Sequence, residues 1–398
     1  MIRKVEKSEI KEFVKIQVEA YPGFFNGSLE EIVGMVKVLE EYTENPVCFG
    51  YFENDKIVAG MILYIFEMNY NNEKKVLVGG LGSLAVALTH KKEKIAYKMI
   101  RFYQTFSEKK GCKLLALYPF NDRFYSKFGF AKGVIQYKYN FKPSQLITKT
   151  TNQKLRHSER SDLNKICDCV NRIAENKHGM YYIHSKDIKK YQKMKTQKCF
   201  VYEENNLIKG FIIIDSKSNS KDNPLDNTLI VKEMYYEDSK VLNIILKFLK
   251  NQEDQYSYID YYTKNANFHI NLNEIRTSNS TLMPKVSHLF AYAGLGLMYK
   301  IIDPYYFISK NLINEINIES FEIEDKLTKR KFIYNENRGN RGNGVKFDQS
   351  IFSGWIMGLT SLEEYYDNGL VDIFSEDSIR QLDNNFYPRK GPDCRTEY

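Results

Sequence analysis

One order of elements occurs twice along this chain, and it limits the possible folds more than any other feature. Ser8–Tyr21 places Ile10, Phe13, Val14 and Val18 near helical spacing, behind a serine that can cap. Val47–Phe52 reads as a strand, Asn54-Asp55 as a turn, and Lys56–Tyr64 as the returning strand of a hairpin. Lys75–Leu88 is a long β-like run with small residues. Thr89–Lys109 reads as a helix with Ile95, Met99, Phe102 and Phe106 on one face, and Lys113–Tyr118 as a short apolar strand. Asn121–Lys127 follows as a short helix, and Gly129–Tyr139 resumes the β pattern. The order returns at an offset of roughly 145–150 residues. Its second pass runs through helix Ser161–Glu175, hairpin strands Lys198–Glu203 and Leu207–Ile214, strand Asn227–Tyr236, helix Ser239–Asn251 and strand Tyr256–Tyr262. Hairpins interleaved with helical crossovers predict an α/β (α+β) fold built on mixed sheets. A length of 398 residues is enough for two or three cores.

Beyond the second pass the pattern changes. Met298–Asp303 reads as a strand entering a new region. Lys331–Tyr334 and Val345–Phe347 flank the segment Arg338–Gly344, whose Asn-Gly and Gly-Asn pairs read as the tip of a long hairpin in preference to an RG-type RNA contact. Ser350–Gly358 and Ser361–Tyr366 read as two short helices. The tail Pro388–Tyr398 is too rich in breakers for a regular element, yet it ends in an aromatic residue.

Hydrophobic residues at 43% and charged residues at 27% are the composition of a folded, soluble chain. The net charge of +8 comes from scattered lysines, whereas nucleic-acid binding needs a clustered stripe, so no nucleic-acid partner is expected. No run approaches the ~20 apolar residues of a membrane span. Met1-Ile2-Arg3-Lys4 leads directly into a polar helix, without a signal peptide's apolar stretch, so the expected location is cytoplasmic. The six cysteines form no CxxC pair and have no His-rich companion segment; neither a zinc site nor a disulfide framework is expected.

The segment richest in chemistry is Leu84–Ala96: a strand, a basic turn, then an amphipathic helix. A helix N-terminus offers free N–H groups and a positive dipole end, suited to a pyrophosphate. Lys91, Lys92 and Lys94 add charge there. Taken alone, the turn reads equally well as a solvated basic helix start. Further on, a strand ending at Tyr118 leads to a helix that places Tyr125 one turn in. A phenol of pKa near 10 can protonate a departing thiolate of pKa near 8.5, slightly uphill. The second pass has Glu237-Asp238-Ser239-Lys240 where the first has its basic turn, and an acidic helix start is a poor host for phosphate. Near the first helix, Glu19 and the run Tyr21–Phe25, with Phe24 and Phe25, suggest an amine held between aromatics and a carboxylate. A loop packed on the core explains the same residues as well.

The Leu84–Ala96 turn resembles motif A of the GNAT acetyltransferases, whose pattern is Gln/Arg-x-x-Gly-x-Gly/Ala. The run Phe124–Phe130 is similar to that family's later Tyr-containing helix. Several segments together resemble the Eis (enhanced intracellular survival) acetyltransferases: Thr89-His90, Leu117-Tyr118-Pro119-Phe120, Tyr125–Phe130, Met298–Asp303 and the aromatic C-terminal residue. The resemblance spans essentially the whole chain.

It implies tandem GNAT folds: an N-terminal acetyltransferase domain over 1–147 and a degenerate central GNAT-like domain over 148–292. A C-terminal sterol-carrier-like α+β domain follows over 293–398, with its tail returning to the active site. The implied activity is acetyl transfer from acetyl-CoA to an amine, either of an aminoglycoside- or polyamine-like small molecule or of a lysine side chain. No metal is implied, and the assembly is a homo-hexamer. In this reading Leu84, Ala85 and Val86 hold the pantetheine and thioester, and Lys91, Lys92, Lys94, Ile95 and Ala96 hold the pyrophosphate. Asn121 also touches the cofactor. Tyr125 is the general acid, and the Tyr398 carboxylate is the general base. A free α-carboxyl has a pKa near 3.5, which burial beside aromatics raises. Glu397 and Glu19 remain alternatives for that role or for binding a cationic acceptor. Ala96 fits the motif, but Lys94 stands where the motif has glycine and Lys91 where it has arginine. A side chain in place of the glycine suggests a second reading, a non-catalytic protein that binds acyl-CoA or an amphiphile.

Overall fold

A computed structural model describes residues 1–25, 27–41, 45–71, 74–184, 198–275, 282–283, 287–311, 320–335, 344–372, 376–388 and 391–393. Its first sheet has the strand order β1 (Ile2–Lys4), β2 (Val47–Glu53), β3 (Lys56–Tyr70), β4 (Lys74–Val86), β5 (Leu114–Leu117) and β15 (Met298–Ile301). The hairpin turn at Asn54 and Asp55 puts both residues at positive φ, a conformation Asn and Asp tolerate better than most. β4 pairs antiparallel with β3 and parallel with β5. The parallel step needs a crossover, which α3 (Ile95–Lys109) provides.

The sequence alternates along β5, and each side of the strand meets a different layer. Leu115 and Leu117 pack with α3 residues Met99, Ile100 and Tyr103. Leu114 and Ala116 pack with Phe352, Trp355 and Ile356 of a helix in the C-terminal region. α1 (Ile10–Ala20) and α2 (Leu29–Glu40) cover the β2–β3 end of the sheet through Ile10, Phe13, Val14 and Leu39. α2 was not expected from the sequence. Ile32, Met35, Val36 and Leu39 form its core-facing stripe and Ser28 caps it, but the interior Gly34 and the exposed Leu29, Val33 and Val38 blur that pattern in the sequence.

The second sheet follows the order β14 (Ala291–Leu295), β6 (Ile135–Phe141), β11 (Tyr258–Thr263), β10 (Asn227–Tyr236), β9 (Leu207–Ser218), β8 (Lys198–Glu204) and β7 (Arg156–His157). α5 (Leu163–Ala174) and α6 (Ser239–Lys250) pack against it. Thus β6, which follows the first pass, joins the second sheet beside β11. Its place beside β5 is taken by β15, from more than 150 residues later.

A short pair, β12 (Leu282–Met283) and β13 (Ser287–His288), precedes β14. After β15 come α7 (Pro304–Asn311), β16 (Ser320–Glu324), β17 (Lys331–Asn335), β18 (Gly344–Asp348), α8 (Gln349–Ile356), α9 (Leu362–Asp367) and α10 (Glu376–Phe386). The expected long hairpin is not formed. Lys331–Tyr334 and Val345–Phe347 do lie in strands, but β16 separates them, antiparallel to β17 and parallel to β18. Residues 338–343 of the turn-rich segment lie outside the described residues.

One buried polar cluster joins the C-terminal region to α3. Lys300 of β15 is fully buried; its Nζ lies 3.1 Å from Asp325 Oδ1 and donates to Gln104 Oε1 at 2.7 Å. Gln104 in turn donates to Asp325 Oδ2 at 2.6 Å. Asp325 also accepts the backbone N–H groups of Leu327 and Thr328. Burial pushes Lys300 down to about 8, against the pull of Asp325, while Lys300 and the surrounding donors hold Asp325 below the usual carboxylate range. Asp325→Ala strands the ammonium and two backbone donors together. It is expected to cost about 3–5 kcal/mol, read as a lowered urea midpoint. Lys331→Met, which breaks an exposed pair with Glu322, should leave the midpoint where it is.

Candidate active site

The first pass of the repeat opens a cleft where β4 outruns β5. The parallel register covers Val78–Leu81 against Leu114–Leu117 and then stops, so Gly82–Val86 continue without that partner. Tyr103 of α3, fully buried, bridges the two strands within this register, just before they part. Its hydroxyl donates to the Gly79 carbonyl at 2.6 Å and accepts the Ala116 N–H at 3.2 Å. On the other side of β4 the register against β3 shifts between Gly60 and Ile62, with Ser83 at φ 50°. This bulge adds one residue to β4 and re-aims Leu84–Val86. Tyr21, just past α1, reaches across to donate its hydroxyl to the Leu84 carbonyl at 2.5 Å.

The basic turn follows. The helix expected from Thr89 begins at Ile95, because Lys92 (φ 68°) and Lys94 (φ 60°) adopt left-handed conformations that no α-helix continues. Lys94 occupies the N-cap position and makes no side-chain cap; the Lys98 N–H donates to the Lys94 carbonyl at 3.1 Å. The first-turn amides of Ile95, Ala96 and Tyr97 therefore precede the helical ladder, at the positive end of the dipole. The equivalent helix of the second pass differs. Asp238 caps α6 by accepting the Val241 N–H at 2.9 Å, and Glu237 is held by Arg172 and Lys209. A carboxylate of the chain itself thus occupies the place an anion would need.

α4 (Asp122–Ser126) closes the cleft. Asn121 caps it, accepting the Phe124 N–H at 3.0 Å. The resulting cavity has a volume of about 660 Å³. Leu84, Ala85, Val86, Lys91, Lys92, Lys94, Ile95, Ala96, Asn121 and Tyr125 all line it. So do residues the sequence did not single out for it: Tyr97, Phe120, Phe124, Lys127, Phe128 and Lys326. The first five lie in or beside the motifs, where aromatic density was the available signal. Lys326 had none, being some 200 residues away in sequence.

Tyr125 is nearly buried, in edge contact with Phe124 and Phe130. Burial, with the Tyr21 phenol adding to it, raises its pKa well above the ordinary tyrosine value; Tyr21 itself is pushed up to about 12. Both phenols therefore keep their protons at neutral pH. Glu19, Phe24 and Phe25 do not line this cavity. Glu19 and Phe24 are exposed, but Phe24 stacks edge-on against Tyr21, which contacts Phe120 in the same manner. Glu397 and Tyr398 lie outside the described residues. The chain leading to them is tied down at Asp393, whose N–H bonds the His178 carbonyl at 2.7 Å. Among the described residues, Glu53, His90 and Glu93 bring possible cation-ligand atoms within 4.8 Å of one another beside the basic turn. No described helix is long and apolar enough to cross a membrane.

Residues 1–133 match the family model of the acetyltransferase (GNAT) domain. No curated protein matches the sequence. Among solved structures, a GCN5-related N-acetyltransferase from Anabaena variabilis aligns over 100% of both chains, with a TM-score of 0.79 at 14% identity. One from Kribbella flavida covers 100% of this chain and 98% of its own, with a TM-score of 0.78 at 14% identity. Eis1 from Mycobacterium abscessus aligns over 100% of both chains, with a TM-score of 0.75 at 13% identity. The chain thus carries a GNAT acetyltransferase domain at residues 1–133, within a full-length fold that it shares with these proteins.

Proposed function

We propose that this chain is an acetyl-CoA-dependent N-acetyltransferase of the Eis kind, acting on a primary amine of a small molecule or a lysine side chain. The observation that carries the reading is the meeting, in one cavity, of the β4 run-out, the uncapped start of α3 and the protonated Tyr125. The donor set suits the cofactor. Strand backbone at Gly82–Val86, paired to β3 but without a β5 partner, matches the amides of pantetheine, and free helical N–H groups with Lys91, Lys92 and Lys94 match a pyrophosphate. Lys94 has the left-handed backbone that favours glycine and an exposed side chain, so it keeps the shape the turn would have with glycine.

Bound acetyl-CoA supplies an activated thioester. The acceptor nitrogen forms its bond to the carbonyl carbon as the carbon–sulfur bond breaks. In this reading Leu84, Ala85 and Val86 orient the thioester and pantetheine through backbone groups, and Asn121 faces them from the start of α4. Tyr125 Oη donates its proton to the departing sulfur, and the Tyr398 carboxylate takes the proton released by the amine. Glu19, Glu397, Phe24 and Phe25 form the acceptor side. The proposed division is 1–147, 148–292 and 293–398, the last sterol-carrier-like, within a cytoplasmic homo-hexamer. The acid cap on α6 supports a degenerate central domain with no cofactor site of its own. The alternative of a non-catalytic amphiphile-binding protein gains no specific observation.

Thiol release from acetyl-CoA, measured against polyamines, aminoglycosides and lysine peptides, tests the activity; no acetyl-CoA binding at millimolar concentration would overturn it. Tyr125→Phe should lower kcat by about 10²-fold or more while leaving the dissociation constant for acetyl-CoA unchanged. Because burial raises the Tyr125 pKa, its acid form persists to higher pH than a free phenol's. Any alkaline loss of rate due to this residue should therefore lie above about pH 10, seen in the kcat profile. Removing Tyr398 should slow turnover without shifting the thermal midpoint. Lys94→Gly relieves a left-handed side chain at some cost in unfolded-state entropy, and is expected to raise stability by about 0.5–1 kcal/mol in urea unfolding.

A further inference from the structure

We infer that Lys326, brought to the cavity by the C-terminal region, recognises the phosphomonoester on the nucleotide end of the cofactor and so sets the preference for CoA over its 3′-dephospho form. The inference rests on the proposed acetyl-CoA site and adds to it a residue from outside the acetyltransferase domain. The other residues that line the cavity fall between Ala20 and Phe128. Lys326 alone among them comes from the far part of the chain.

Its place is fixed from both sides. Asp325, before it, is buried against Lys300 and Gln104. Leu327, after it, is buried in the cluster that contains Tyr125 and Phe128. The Lys326 N–H itself donates to Gln349 Oε1 at 3.2 Å. That same carboxamide packs on Gly129, at φ 88°, where a Cβ would come within 2.3 Å of Oε1. The backbone of Lys326 is thereby seated on the end of α4, beside Lys127 and Phe128. The Phe128 ring contacts Tyr97 at 5.6 Å, which joins this edge of the cavity to the first turn of α3.

The order of groups along the cofactor then suggests what Lys326 meets. Its thioester would lie at Leu84–Val86 and Tyr125, and its pyrophosphate at the Lys91–Ala96 turn. The charge that remains is the ribose 3′-phosphate, beyond the pyrophosphate as seen from the thioester. The edge at Lys127 and Lys326 offers two ammonium groups for it. Lys326 Nζ is ion-paired with Asp348, whose carboxylate also caps α8 through the Ser350 N–H at 2.9 Å. The pair holds the lysine in place while its side chain stays 36% exposed. A phosphomonoester carries roughly −1.5 to −2 charges near neutrality, enough to compete for the ammonium against a single carboxylate.

The test uses the full chain with acetyl-CoA and acetyl-3′-dephospho-CoA as paired donors. The wild type should favour acetyl-CoA, with a KM lower by roughly tenfold or more. Lys326→Met should raise KM for acetyl-CoA to near that of the dephospho donor, with the loss in KM and not in kcat. Its KM for the dephospho donor should stay unchanged, and Lys326→Arg should restore much of the preference. A thermal melt checks that each variant folds. Equal rises in both KM values would assign Lys326 to the pyrophosphate or to general field, and no change in either would leave it without a role; both results overturn the inference while the site reading stands. A wild type that binds neither donor overturns the site reading, and this inference with it.

Discussion

The buried phenol of Tyr103 ties β4 to β5 just before the first sheet comes apart. Its hydroxyl satisfies the Gly79 carbonyl and the Ala116 N–H inside the paired stretch of β4 and β5, which ends at Leu81 and Leu117. Two parallel strands that part inside a core would normally strand backbone polar groups, at a cost comparable to a lost hydrogen bond for each. A side-chain hydroxyl from the covering helix removes part of that cost here. The parting is what leaves Gly82–Val86 able to face a ligand. The same helix that supplies Tyr103 presents its own N-terminus to the cleft, so the strand tie and the anion site belong to one element.

The cleft is not the work of the first 133 residues alone. β15 completes the sheet on the far side of β5, pairing from Met298↔Leu117 to Ile301↔Leu114. α8 then covers the face of β5 that α3 leaves bare. Lys300, on β15, reaches through to Asp325 and Gln104, so the register of β15, the turn after β16 and the roll of α3 are mutually constrained. A buried charge pair contributes little net stability against an apolar replacement, but breaking it is expensive. Its effect is to hold Lys326 and α3 in one relative position. His178, buried and pushed down to about 4, does similar joining work elsewhere: Nδ1 accepts from the Asn71 N–H, and Nε2 lies 3.1 Å from the Met357 carbonyl.

Much of this was legible in the sequence, and the failures have definite causes. Periodicity located the hairpins, the crossover helices and the repeated order, because each element buries one face and shows it as a spacing of apolar residues. α2 escaped because the exposed Leu29, Val33 and Val38 mask the stripe of Ile32, Met35, Val36 and Leu39. The start of α3 was misjudged because lysines are good helix formers, and nothing in Lys92 or Lys94 advertises positive φ. The C-terminal sheet was misjudged because β17 and β18 each pair with β16, a strand that precedes both, and pairing partners leave no mark in periodicity.

The sequence by itself determined the chemistry on offer: a strand, a basic turn and a helix, then an aromatic run holding Tyr125, with an acidic substitute for that turn in the second pass. These are local patterns, and local patterns carry element type and charge. Tertiary structure alone decided that β6 pairs with β11 in the second sheet while β15 pairs with β5 in the first, that α3 is left uncapped while α6 is capped, and that a lysine at position 326 lines a cleft otherwise built by residues 20–128. Contacts of that kind depend on which faces pack and at what register, and both are set by the whole core at once.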